Sequence, residues 1–135
     1  MMITIDVMVE SPIENVWENW INPEIVKKWN HASDNWYCPK AENDFKLGGK
    51  FSYIMAAKDN SASFDFWGNY TKIENLKIIE STLGDGRTMS VEFEKVDDKN
   101  TIVTESFETE ATNSMDKQRE GWMAILENFK KECEK

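Results

Sequence analysis

Few residues in this chain are of a type that does chemistry, and their spacing is uninformative. His31 is the sole histidine, so any triad or dyad that needs an imidazole must use it. It follows closely on Trp29, and the commoner reading is a loop histidine at the surface. Glu105, Glu108 and Glu110 form an acidic group near the end of a predicted strand. General acid–base work needs a carboxyl whose surroundings shift its pKa. Proximity along the chain does not supply that, and solvated positions at a strand end are the expectation. Asp65 alternates away from Phe64 and Phe66 and is expected to face water. Arg119 is the more distinctive position, because it falls on the apolar stripe of a predicted helix. A guanidinium there could hold a ligand carboxylate with two hydrogen bonds. The ordinary alternative is a stem along the stripe and a head in water. A histidine-rich metal site is excluded, and no carboxylate spacing matches a metal loop. No catalytic residue, metal or cofactor is assigned.

Composition narrows the partners. The formal net charge is -9, which argues against nucleic acid, since phosphate binding needs clustered Lys and Arg. It argues equally against anionic membrane surfaces. Plain solubility accounts for the charge. No apolar run is long enough to insert in a membrane, and the first residues lack the pattern of a signal peptide. Cys38 and Cys133 fit no zinc or thioredoxin spacing. Free buried thiols in a reducing compartment are expected, so a cytoplasmic location follows. The six Trp, seven Phe and three Tyr must pack somewhere, and the concave face of a sheet is one economical place.

The elements that would position these residues are legible from periodicity. At 135 residues one domain is expected, covering 1–135. Ile3, Ile5, Val7 and Val9 alternate as a strand with one buried face. Ser11-Pro12-Ile13-Glu14 reads as a capping box with proline at the first helical position. Ile13, Val16, Trp17, Trp20 and Ile21 then follow at helical spacing. Asn22-Pro23 ends that helix and starts another, with Ile25, Val26 and Trp29 inward. Residues 30–42 read as irregular, with some strand near Trp36. Strands are predicted at Phe51–Ala56, Phe64–Ile73, Leu76–Leu83, Thr88–Glu94 and Thr101–Thr109. Gly68 is read as a bulge. Met89, Val91 and Phe93 give the clearest inward pattern, whereas the parity of Thr101–Thr109 stays open between Ile102 and the pair Val103 and Phe107. The last helix starts near Asn113 or Ser114 and runs to about Cys133. Its stripe is Met115, Arg119, Trp122, Leu126, Phe129 and Cys133, supported by Met123 and Ile125. Gly121 sits inside this helix at a cost of about 1 kcal/mol relative to alanine. Close backbone contact or free space beneath the helix would account for it.

Strand, two short helices, a run of antiparallel strands and one long helix make an α+β chain. With that order on the page, the chain resembles the START-like, or SRPBCC, superfamily with the helix-grip fold. More narrowly it resembles the family named after the activator of the heat-shock chaperone ATPase. The residues that carry the likeness are Ser11-Pro12 with Val16-Trp17, Asn22-Pro23-Glu24 followed by Trp29, Leu47-Gly48-Gly49-Lys50-Phe51, Gly68 with Tyr70, and Gly121-Trp122. The resemblance implies a curved antiparallel sheet of about six or seven strands wrapped around the C-terminal helix. It also implies a hydrophobic pocket between them, used across the superfamily for apolar molecules. The chaperone activators of eukaryotes carry a separate N-terminal chaperone-binding domain, and 135 residues leave no room for it. Chaperone activation is therefore not inherited with the family's name.

The expected ligand-binding residues are Trp29, Trp36, Tyr37, Phe51, Tyr53, Met55, Phe66, Met89, Val91, Arg119, Trp122, Met123 and Leu126. A filled core of the same side chains is the competing reading. The leading function is binding of an apolar or amphipathic small molecule by a monomer or homodimer. A cyclase- or hydrolase-type enzyme in the same cavity is the first alternative, and needs His31, Arg119 or a carboxylate turned inward. A chaperone-accessory or other interaction module is the second, and needs exposed Trp20, Trp36 or Trp67.

Overall fold

Alternation of apolar residues sets the sheet. In the computed structural model, which describes residues 1–135, β1 (Met2–Val9) buries every second side chain: Ile3, Ile5, Val7 and Val9. Two short helices follow, α1 (Ile13–Ile21) and α2 (Pro23–Trp29). Then come β2 (Trp36–Asn43), β3 (Lys50–Ala57), β4 (Ser63–Glu74), β5 (Ile78–Leu83), β6 (Thr88–Asp97), β7 (Asn100–Glu108) and α3 (Met115–Cys133). The strands form one sheet in the order β1-β7-β6-β5-β4-β3-β2, antiparallel throughout. Sheet residues β2 to β7 are thus a meander, and β1 closes onto β7. The sheet curls into a half-barrel around α3, the α+β helix-grip arrangement.

Several local expectations change. Ser11 makes no capping box: α1 is preceded by Pro12 with no side-chain cap. Ser11 Oγ instead accepts from Asn15 Nδ2 at 2.7 Å, and its carbonyl accepts from the Thr101 hydroxyl at 2.9 Å. Residues 36–43, read as largely irregular, form β2, interrupted by a register shift between Tyr37 and Lys40 that accommodates Pro39. Gly68 is paired regularly, with Phe51 on one side and Leu83 on the other, and the irregularity lies between Tyr70 and Lys72. What Gly68 provides is room: a Cβ there would stand 2.7 Å from the Thr82 carbonyl oxygen and 3.0 Å from the Phe51 ring.

The open parity of β7 resolves in favour of Val103 and Phe107. Thr101, Val103, Glu105 and Phe107 face inward, and Ile102 faces outward. One consequence follows directly from the period of two: Glu105 lies inside the molecule, not at a solvated strand end.

In α3, Ser114 accepts from the Lys117 amide at 3.1 Å, as its type predicts. The inner stripe starts at Gln118, and Met115 is 42 % exposed. Gln118 ties the connection from β7 to α3: its Oε1 accepts from the Glu110 amide at 2.9 Å and its Nε2 donates to the Asn113 carbonyl at 2.8 Å. Leu126 and Phe129 are fully buried.

Candidate ligand cavity

The interior has two aromatic clusters. One lies beneath α1 and α2 and is solid. Trp17 meets Phe93 at 5.0 Å and Phe45 at 5.8 Å, while Phe129 meets Trp20 and Trp29 at 4.9 Å each. Trp29 also donates its indole N–H to the Asn19 carbonyl at 3.0 Å. These edge-to-face contacts fill space as a packed core does.

The second cluster lines a void. Phe51 touches Tyr53, Phe66 and Tyr70 at 5.3, 5.8 and 5.4 Å. From α3, the Trp122 ring stacks on Phe107 at 3.9 Å and meets Phe66 edge-on at 5.8 Å. Between these rings lies a cavity of about 230 Å³, with Ile79, Met89, Val91 and Ile125 in its walls. A dry cavity of about 150 Å³ suffices for benzene, so this one has room for a one- or two-ring molecule. Gly121 is consistent with the open side of the pair of explanations offered by sequence. A Cβ there would meet nothing within 4 Å, so no close backbone contact demands glycine.

Of the expected site residues, the fold brings eight to this cavity: Trp29, Phe51, Tyr53, Met55, Phe66, Met89, Val91 and Trp122. The other five lie elsewhere. Trp36 is half-buried against the core and packs on the lining residue Phe64 at 6.0 Å, beside the cavity and outside its lining. Tyr37 is 40 % exposed, because it alternates with Trp36 and Cys38, which face inward. Arg119 is exposed and donates to the Thr4 carbonyl at 3.3 Å, which draws its head to β1 and away from the void. Leu126 is fully buried in the packed core, and Met123 is half-buried against the core beside it. His31 is outside the lining too. It is half-buried, its carbonyl accepts from Asn128 Nδ2 at 2.7 Å, and its Nδ1 has no partner. Burial lowers its pKa, with the Asp34 charge partly opposing the shift.

Polar groups in the lining were the harder part to foresee. Tyr70 donates to Asn43 Oδ1 at 2.6 Å, and Asn43 Nδ2 donates to the Ile21 carbonyl at 2.7 Å. Burial raises the Tyr53 pKa well above its ordinary value and pushes that of Tyr70 up to about 12. Both phenols are therefore neutral donors near neutral pH. Arg87 reaches the lining, but its Nε is held by Asp85 at 2.7 Å and its Nη1 donates to the Glu108 carbonyl at 3.3 Å. Glu105 is 4 % exposed, and burial alone pushes its pKa up to about 8. The signal for Glu105 was present in the sequence, as its shared parity with Val103 and Phe107. Trp20, Asn30, Phe64, Ile79, Ser81 and Ile125 also reach the lining; Ile79 and Ser81 follow from the inward parity of β5.

Both cysteines are buried free thiols, as expected. Burial pushes the pKa of Cys38 up to about 11 and that of Cys133 up to about 12, so neither is a ready nucleophile. No helix is long and apolar enough to cross a membrane.

Comparison with known proteins agrees with the architecture. Residues 10–134 match the family model described as "Activator of Hsp90 ATPase homolog 1-like protein". The solution structure of an AHSA1-like protein from Aeromonas hydrophila is 38% identical, covers 98% of this chain and 91% of its own, and superposes with a TM-score of 0.90. A solution structure from Cytophaga hutchinsonii is 46% identical, covers 96% of this chain and 89% of its own, and gives a TM-score of 0.84. A crystal structure from Nitrosomonas europaea shares the fold at 17% identity, with a TM-score of 0.82 and coverage of 98% and 93%. No curated protein matches significantly. The chain belongs to the Activator of Hsp90 ATPase homolog 1-like family, within the START-like superfamily.

Proposed function

Starting from that membership, we propose that this protein binds a small apolar or amphipathic molecule between the curved sheet and α3, acting as one START-like domain over residues 1–135. The observation that carries the reading is the cavity of about 230 Å³, walled mainly by aromatic and aliphatic side chains with a few polar groups. Its size favours one or two rings over a sterol or a diacyl lipid, which the void would not hold without movement of α3. The two free buried thiols suit a reducing, cytoplasmic setting. A monomer or homodimer is enough, because the lining comes from one chain.

Titration with 2-naphthalenemethanol tests the reading, followed by tryptophan emission from the lining residues Trp20, Trp29 and Trp122. Saturable quenching is expected in the wild type. Ile125→Trp, which puts a ring into the void from the half-buried side of α3, is expected to abolish it. Absence of any saturable change up to millimolar probe would overturn the reading. Native mass spectrometry of freshly purified protein would then identify any molecule carried from the cell.

Glu105 supports a second reading, an enzyme using the same cavity, since a buried carboxyl near neutral pKa is suited to acid–base work. Membership of a family described by chaperone-ATPase activation keeps a chaperone-accessory role as a further alternative. Stimulation of a chaperone ATPase by the purified chain is its direct assay.

A further inference from the structure

We propose that Glu105 selects the ligand, and that the cavity takes a molecule with a protonated amine attached to a one- or two-ring apolar body. The inference rests on the cavity reading and specifies its chemistry.

The placement of Glu105 is unusual for a carboxyl. Its neighbours on the same face of β7 are Val103 and Phe107. Its cross-strand partners are Ile5 on β1 and Val91 on β6. No protein group hydrogen-bonds to the carboxyl or pairs with it, and its pKa is moved by burial alone. A buried carboxyl without a partner costs stability, and the whole face around it could have been built from Val and Ile. The group lies in the lining of a void large enough for a ligand. The same lining carries the rings of Phe51, Phe66, Trp122, Trp20 and Trp29. A carboxyl at the wall of an aromatic enclosure is the physical recipe for an ammonium group. The carboxylate supplies a charge-assisted hydrogen bond, and the ring faces supply cation–π attraction. The net charge of -9 further favours the approach of cations.

An anionic ligand fits less well. Arg87 is the one cation in the lining, and Asp85 and the Glu108 carbonyl already occupy it. The elements facing Glu105 add no competing charge. β1 and β6 present Ile5 and Val91, β5 presents Ile79 and Ser81, and α3 presents Trp122 and Ile125. β3 and β4 contribute the tyrosines Tyr53 and Tyr70, both neutral across the relevant pH range. Arg87 keeps its charge throughout.

Proton balance gives the proposal a signature. Below about pH 8 the empty site holds a proton on Glu105. Binding an ammonium ion transfers that proton to solvent and leaves an ammonium–carboxylate pair. Affinity for an amine must therefore rise with pH, approaching tenfold per unit below the Glu105 pKa.

The test uses three probes of one shape: 2-naphthylmethylamine, 2-naphthalenemethanol and 2-naphthoate. Calorimetry from about pH 6 to about pH 8, in buffers of different ionisation heat, reads affinity and proton release together. The amine is expected to bind at least tenfold tighter than the alcohol at the upper pH, with release of nearly one proton at the lower pH and about half a proton at the upper, where Glu105 is already partly ionised. That preference should shrink at the lower pH and vanish in Glu105→Gln, which keeps the side chain's shape and removes its charge. Equal amine affinity in wild type and Glu105→Gln, or tightest binding of the naphthoate, would overturn the assignment while leaving the cavity reading intact. Failure of all three probes to bind would overturn both.

Discussion

The two halves of α3 rest on different interiors. The C-terminal half, through Leu126, Phe129 and Cys133, is sunk in a solid core with Trp20 and Trp29 against Phe129. The N-terminal half carries Gly121, Trp122 and Ile125, all half-buried, and the last two line a cavity. Both regions are rich in aromatic rings. What separates them is the layer formed by α1 and α2. Those helices deliver Trp17, Trp20 and Trp29 to one end of the half-barrel, where Trp20 and Trp29 also border the cavity, and α3 covers the void with Trp122 and Ile125. Aromatic content by itself therefore says nothing about whether an interior is filled.

The sharpest way to break this contrast is to cut large side chains on each side of it. Phe129→Ala should cost about 3–5 kcal/mol, the range for removing a fully buried ring. Urea unfolding followed by far-UV circular dichroism would measure it. A loss below about 1 kcal/mol would mean that the packed half is not packed.

Glu105 gives the next largest effect and is specific to the cavity half. Its folded pKa of about 8 lies above the ordinary carboxylate range, so the folded state binds a proton that the unfolded state releases. The associated stability is full below the ordinary carboxylate pKa and is lost as pH rises toward about 8. The expected loss between about pH 5 and pH 8 is on the order of 3 kcal/mol at most. Asp85, Asp97, Glu108, Glu110 and Glu134 have lowered pKa values. Their contributions are present above the ordinary carboxylate pKa and are lost only in more acidic solution, so the two windows do not overlap. Glu105→Gln should flatten stability between pH 5 and 8. An unchanged slope in that variant would place the Glu105 carboxyl in water.

Smaller effects sharpen the contrast. Ile125→Ala should cost only about 1 kcal/mol, since the side chain is half-buried and already borders a void. Gly121→Ala should stabilise α3 by about 0.5–1 kcal/mol, because the added Cβ meets open space and removes a helix penalty. A destabilised Gly121→Ala, read from thermal melting, would show that the sheet approaches the helix more closely than described.

These contrasts also explain what the chain disclosed before folding. Period-two alternation in β1 and β6 was enough to fix their inner faces, and helical spacing was enough for α1, α2 and most of α3. Parity failed in β7, where Ile102 competed with Val103 and Phe107, and Glu105 was misplaced with it. The site was only half legible for a related reason. Periodicity says which side chains point inward, and Phe51, Tyr53, Met55, Phe66, Met89, Val91 and Trp122 do reach the cavity wall. It does not say where the inside is empty, so Leu126 and Met123 were grouped with the cavity although they belong to the core and its margin. Arg119 was placed by stripe, but a long side chain at the edge of a stripe reaches the nearest acceptor, here the Thr4 carbonyl. Tyr37 faces outward by alternation with Trp36 and Cys38, a parity that stays hidden while β2 is read as irregular.

The central claim is that the half-barrel is hollow under the N-terminal half of α3 and solid under the C-terminal half. Heteronuclear NMR during titration with 2-naphthalenemethanol tests it most directly. The account predicts saturable shifts at the Trp122 indole N–H, the Met55 and Met89 methyls and Ile79, with Trp17 and Cys133 unmoved. Shifts scattered over the outer surface, or none at millimolar probe, would contradict it.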